Sequence, residues 1–233
     1  MHILALSTRV LRDPHALVND ADTALASTAP ALLAISAAGA ALFGIAVGSY
    51  HDPLQAAYAA LKLPVLLIIP PLVTLPVLHA VATACGAPVG YRRLAMACLA
   101  GMARTGIIAA ASAPMLWLPY SIGLEYHLAV IAFSAALTFA GLPGLTVIAR
   151  AIPESAQFRF LAGVGVVALL GLVMAQTGWL LRPFVLRPSA PAALFRPVEG
   201  DFVLAMTANG INAAGFDMEW APQVEGLARR VRQ

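Results

Sequence analysis

From residue 31 onward the chain alternates long apolar runs with short polar breaks: Ala31 to Ser49, Pro64 to Ala82, Leu94 to Leu118, His127 to Ala149 and Phe160 to Leu181. Each run approaches or exceeds the about 20 helical residues that cross a hydrocarbon core of ~30 Å. None alternates with the period of two that a barrel strand shows. In lipid, a single segment satisfies its backbone polar groups internally only as a helix. The pattern therefore predicts an all-α fold, a polytopic integral membrane bundle of five transmembrane helices over 31–181. An N-terminal tail over 1–30 precedes it, and an extramembrane C-terminal tail over 182–233 follows.

The N-terminal tail carries Leu4, Leu6, Val10, Leu11, Leu17 and Val18 at irregular spacing around Pro14. That suits either an interfacial amphipathic segment broken at Pro14 or a loosely ordered tail. No basic stretch leads into a short apolar core, so it does not read as a cleavable signal peptide.

The second run, PVLLIIPPLVTLP, holds Pro64, Pro70, Pro71 and Pro76. A proline inside a helix removes an amide donor and crowds the carbonyl one turn earlier, so this span is expected to be kinked or partly unwound. Carbonyls freed at Pro70, Pro71 and Pro76 must face protein or water, as they do where broken helices line transporter sites. Gly44 and Gly48 form a GxxxG, and Gly163, Gly165 and Gly171 thin the fifth run. Such small faces let helix backbones approach closely, within one bundle or against a partner.

Composition agrees with a bilayer solvent: 61% of the 233 residues are hydrophobic and 11% charged, against about half and about a quarter in soluble domains. The formal charge of +3 lies in loops and tails, without the basic stripe interleaved with aromatics that nucleic acid would call for. Membrane lipids are the expected partners, with other membrane protein subunits. Odd span parity puts Arg9, Arg12, Arg92, Arg93, Arg150 and Arg159 at one end, and Lys62, Arg182, Arg187 and Arg196 at the other. The excess of Lys and Arg at the first end predicts a cytoplasmic N-terminus and an outside C-terminus in a bacterial inner (cytoplasmic) membrane.

Chemistry-bearing residues are few. Arg104, near the middle of the third span, is expected to face the bundle interior or a partner, because charge at bilayer depth is costly. No Asp or Glu lies within the spans, so hydroxyls, freed carbonyls, lipid phosphate or another subunit would have to receive it. His79 reads as a satisfied interior histidine. His51, Asp52, Glu125 and His127 share one end, but no HxxxH or HExxH spacing orients them toward a metal. Cys85 and Cys98 read as packing residues. With no GxSxG, P-loop or Rossmann pattern, neither catalysis nor a cofactor is expected.

After the last span, Gln176-Thr177-Gly178-Trp179-Leu180-Leu181-Arg182-Pro183-Phe184 leads through prolines to Phe195-Arg196-Pro197-Val198-Glu199-Gly200-Asp201-Phe202. This resembles a tail, QxGWxLRPF then FRxxEGNF, of a family of small bacterial polytopic proteins with Yip1-like hydropathy. The stretch from Gln55 to Pro64 and the Tyr126-His127 to Gly144 segment are similar to that family too. Asp201 departs from the pattern's Asn, and Leu186 stands where Gly is common. The resemblance implies a binding or membrane-organising role without catalysis. Trp179 suits the membrane interface, and Arg182, Arg187 and Arg196 can pair with Glu199, Asp201, Glu125 or Asp52, or with lipid phosphate. The tail is expected to lie across the bundle as an extended strap including Phe184 and Phe195. The function expected is that of an accessory, scaffold or assembly subunit of a larger membrane complex. The alternative is a small transporter or channel using the broken second helix and Arg104.

Overall fold

The computed structural model describes residues 3–87, 89–153, 158–185 and 194–195, and every regular element among them is helical. Two short helices, α1 (Ile3–Arg12) and α2 (Pro14–Asn19), precede five long ones: α3 (Ala21–Gly48), α4 (Pro53–Ala84), α5 (Tyr91–Ser121), α6 (Tyr126–Arg150) and α7 (Arg159–Leu181). All five long helices are long and apolar enough to cross a membrane, with mean hydropathies between 1.6 and 2.2 over their best windows. The chain is a multi-pass membrane protein.

The start of α3 differs from the sequence expectation. The helix begins at Ala21, ten residues before Ala31, and carries Pro30 inside it. Its alanine-rich first turns favour helix, and Pro30 removes only one hydrogen bond, so the helix runs through. Upstream, Pro14 opens α2, and the Asp13 side chain accepts a hydrogen bond from the Ala16 amide at 3.1 Å. Pro14 thus separates two helices rather than loosening the tail, since its missing donor falls where a helix has none to use. Leu6, Val10, Leu17 and Val18 are buried, whereas Leu4 and Leu11 are exposed.

The expected unwinding of α4 does not occur. Residues 53–84 form one continuous helix with Pro64, Pro70, Pro71 and Pro76 inside it. Each proline deletes a single rung of the hydrogen-bond ladder while the surrounding rungs persist. Pro70 and Pro71 are buried against neighbouring helices, and Pro76 is exposed. The Thr74 hydroxyl donates to the Pro70 carbonyl at 2.7 Å. The Ala140 to Leu145 stretch likewise stays within α6.

α5 is the central helix, packed against α1, α2, α3, α4 and α6, while α7 rests mainly on α4. Glycines set the close approaches. Gly39 of α3 meets the Gly106 backbone of α5, and Gly101 of α5 meets Gly144 of α6. Gly44 and Gly48 meet the backbone of Ala59 and Ala56 in α4. The GxxxG noted in the sequence is therefore an internal α3–α4 contact. Cys98 is buried within the packing, and neither it nor Cys85 is disulfide-bonded.

Candidate functional site

At the end of the bundle shared by the α3–α4 and α5–α6 loops, the site is built outward from the start of α4. The Asp52 carboxylate accepts from the Gln55 amide at 2.6 Å and Pro53 occupies the first turn, fixing where the helix begins. Seven residues separate Gln55 from Lys62, two helical turns, so both project from one face. Both are buried, Gln55 at 0% and Lys62 at 2% exposure.

Their partner is the segment that leaves α7. Gln55 Nε2 and Lys62 Nζ each donate to the Pro183 carbonyl at 3.0 Å, and Gln55 Nε2 also reaches the Phe184 carbonyl at 3.4 Å. Phe184 and Val185 are buried. The Phe184 ring lies 5.4 Å from that of Phe133 in α6, which in turn lies 6.2 Å from Phe43 in α3. An aromatic row thus runs from α3 through α6 to the tail, each pair within the range of favourable ring contact. Lys62 Nζ sits 6.0 Å from the Phe184 ring centre and 5.4 Å from that of Phe195, within reach of cation–π attraction. Arg182 stacks on Trp179, with its guanidinium carbon 3.4 Å from the ring centre.

The neighbouring loops are tied to the same end. The Tyr50 hydroxyl donates to the Leu124 carbonyl at 2.9 Å, and its ring meets Tyr120 edge-on at 5.1 Å. Burial pushes the Tyr50 phenol above its ordinary pKa, with Tyr126 and Glu125 adding in the same direction. His51 Nδ1 lies 3.0 Å from Asp52 Oδ2. The hydrogen bond from the Gln55 amide, then the contact with His51, holds the Asp52 carboxyl below the usual carboxylate range. Among the described residues no three His, Cys, Asp or Glu side chains gather as metal ligands.

Of the residues singled out in the sequence, Trp179, Arg182, Phe184 and Phe195 meet at this end. Arg104 stands apart. It is half-buried in α5, and its Nε is buried with no hydrogen-bond partner among the described residues. It donates to no carbonyl near Pro70, Pro71 or Pro76, which corrects the expectation that freed carbonyls receive it. Those prolines lie inside a continuous helix rather than opening a break beside it. His79 packs edge-on against Tyr91 at 5.8 Å, but its Nδ1 is buried without a hydrogen-bond partner among the described residues, unlike the satisfied histidine expected. Arg187, Arg196, Glu199 and Asp201, and with them most of the expected strap, lie outside the described residues.

Gln55 and Lys62 were not singled out in the sequence. The available signal was two polar side chains two turns apart in an apolar span, within a stretch already noted for its similarity to the tail-bearing family. No protein-family model, curated protein or solved structure matches the chain.

Proposed function

We propose that this protein acts by binding, as an accessory or assembly subunit of a larger complex in a bacterial inner membrane, with its N-terminus cytoplasmic and without catalysing a reaction. One observation carries the reading: the bundle is lopsided. Over their apolar windows α3, α4 and α5 are 56%, 44% and 67% buried, whereas α6 and α7 are 22% and 17% buried. Gly141, Gly163 and Gly171 lie on these two outer helices, and an added Cβ at each would meet nothing within 4 Å. A glycine inside a helix is less favourable than alanine by about 1 kcal/mol, and here no contact with the described residues compensates. Small residues of this kind permit close approach of a second transmembrane helix. The occupant we assign is therefore a transmembrane helix of a partner protein. At the adjoining end, Gln55 and Lys62 hold the segment that leaves α7 at Pro183 and Phe184.

The transporter reading rested on a broken second helix and on Arg104, and α4 is continuous. The cavity enclosed by all five long helices is about 20 Å³ and mostly apolar, lined by Phe43, Leu66 and Met174 among others. No described observation favours a solute path. Gentle extraction from native membranes, comparing the wild type with Gly163→Leu/Gly171→Leu, tests the binding reading. A stoichiometric membrane protein should accompany the wild type and be lost from the variant. Recovery of both chains with lipid alone contradicts the proposal.

A further inference from the structure

The short first helix, α1, has three sides, and two of them are apolar. Leu6 and Val10, one turn apart, are buried in the main core together with Met96, Ala97 and Ala100 of α5. Leu4, Ser7 and Leu11, spaced three and four residues, form a neighbouring row, and Ile3 sits between that row and the buried one. The apolar members of this outer row are exposed, as is Ile3, with Leu4 at 79%. Ala5, Thr8, Arg9 and Arg12, at the same helical spacing, make the third side.

Two further observations say what the outer row faces. Arg9 Nη2 pairs with Asp20 Oδ2 at 3.2 Å, and Arg92 Nη1 donates to the Asp22 carbonyl at 3.4 Å. These contacts hold α1 level with the first turns of α3 and α5, at the charged end of a bundle whose long helices are apolar enough to cross a membrane. The hydroxyls of α1 are also satisfied inside the helix. Ser7 Oγ donates to the Ile3 carbonyl and Thr8 Oγ1 to the Leu4 carbonyl, each at 3.0 Å. The polar member of the outer row therefore needs no water. Exposed leucines scattered singly need no explanation. Here they line up on a helix fastened where headgroups meet the bundle. A helix with an apolar row on one side and arginines on another lies in the plane of the interface, with its apolar row toward the acyl chains. A long basic side chain such as that of Arg12, which is exposed, reaches from there to the phosphates.

We infer that α1 is an in-plane membrane anchor whose outer row is covered by lipid. Ile3, Leu4 and Leu11 enter the acyl region of the leaflet at this end of the bundle, and Arg12 contacts lipid phosphate. Leu6 and Val10 fix the other apolar side to α5, so the helix joins the bundle to the membrane surface. The inference is independent of what lies along α7.

The experiment uses the full chain in nanodiscs of phosphatidylcholine with a minority of phosphatidylglycerol. Nitroxide labels are placed through Leu4→Cys, Leu11→Cys and, on the third side, Ala5→Cys, each with Cys85→Ala; Cys98 is buried and stays unlabelled. Power saturation then compares access by oxygen, which concentrates among acyl chains, with access by a water-soluble nickel chelate. Labels at positions 4 and 11 should favour oxygen, and the label at position 5 should favour nickel. Nickel access at 4 and 11 equal to that at 5 overturns the inference, because the row then faces water. Shielding of 4 and 11 from both reagents also overturns it, because protein then covers the row. Tryptic cleavage after Arg12 supplies a second readout. Leu4→Gln/Leu11→Gln should be cleaved faster than the wild type by about tenfold or more, with Ala5→Gln/Thr8→Gln unchanged. Equal cleavage of the two variants overturns the anchoring. If Leu4→Gln/Leu11→Gln fails to fold by circular dichroism, the labels decide alone.

Discussion

Replacing Gly44 with alanine should loosen the protein through one contact whose size follows from the backbone. A Cβ at Gly44 would lie 2.5 Å from the Ala59 carbonyl oxygen and 2.7 Å from Ala60 Cα. Ordinary contact begins near 3.4 Å, so α3 and α4 would have to separate locally by about 1 Å. The obstacle is backbone on both sides, with no flexible side chain to move away. A gap of about 1 Å forfeits up to about half of each dispersion contact across it, and overpacking typically costs about 1–3 kcal/mol. Taking about 2 kcal/mol, and the thermal response of a chain this long, the melting temperature should fall by about 4–8 °C. Gly171→Ala is the matched comparison, because nothing lies within 4 Å of its added Cβ. It should melt at or slightly above the wild type, since alanine is the better helix former. Thermal unfolding of both variants in one detergent, followed by circular dichroism and by aggregation on size exclusion, measures the difference. Equal melting of the two variants would refute the packing argument for α3 and α4.

Removing the tail's anchors with Gln55→Leu/Lys62→Met should free the segment after α7. A cysteine placed at Val185, a buried position, should then react with a soluble maleimide faster by on the order of tenfold or more. Unchanged labelling would show that the two donors do not hold the Pro183 carbonyl. Arg104→Met removes a guanidinium whose Nε is buried without a partner among the described residues, so stability should rise by up to about 2 kcal/mol and the melting temperature with it. A fall of several degrees would contradict the unpaired reading. The carboxyl of Asp52 is held below the ordinary carboxylate value, so its stabilising effect is complete above that value and is lost as pH falls through the lower folded one. Between about pH 6 and about pH 3, Asp52→Asn should therefore lose melting temperature less steeply than the wild type. Identical slopes would remove Asp52 from the acid response.

The five spanning helices were legible because apolar length alone identifies a membrane helix. Span parity was informative too. It grouped Arg93, Arg150 and Arg159 at one end, and the structure brings these three to a single cleft. Helix starts were less legible. Ala21 to Pro30 is too polar to read as membrane, yet its helix propensity carries α3 backward through it. The prolines of α4 leave a break undecided for a related reason. Sequence shows each lost donor, but whether the remaining ladder and the packed neighbours hold the helix together is a tertiary matter. The described part of the tail's attachment is a contact that charge does not reveal. Reasoning from charge looked for carboxylates to receive Arg182, Arg187 and Arg196. The described anchorage has Gln55 and Lys62 of the bundle donating to a backbone carbonyl of the tail. A carbonyl acceptor is present at every residue and leaves no mark in a sequence.

The central claim is that a partner's transmembrane helix lies along the outer face of α7, and photo-crosslinking in native membranes tests it most directly. A benzophenone amino acid at Leu172, 61% exposed, is compared with one at Leu170, 1% exposed. A single protein adduct is expected from position 172, none from 170, and loss of the adduct when Gly171→Leu is added. Lipid adducts alone at position 172, or protein adducts that Gly171→Leu leaves unchanged, would contradict it.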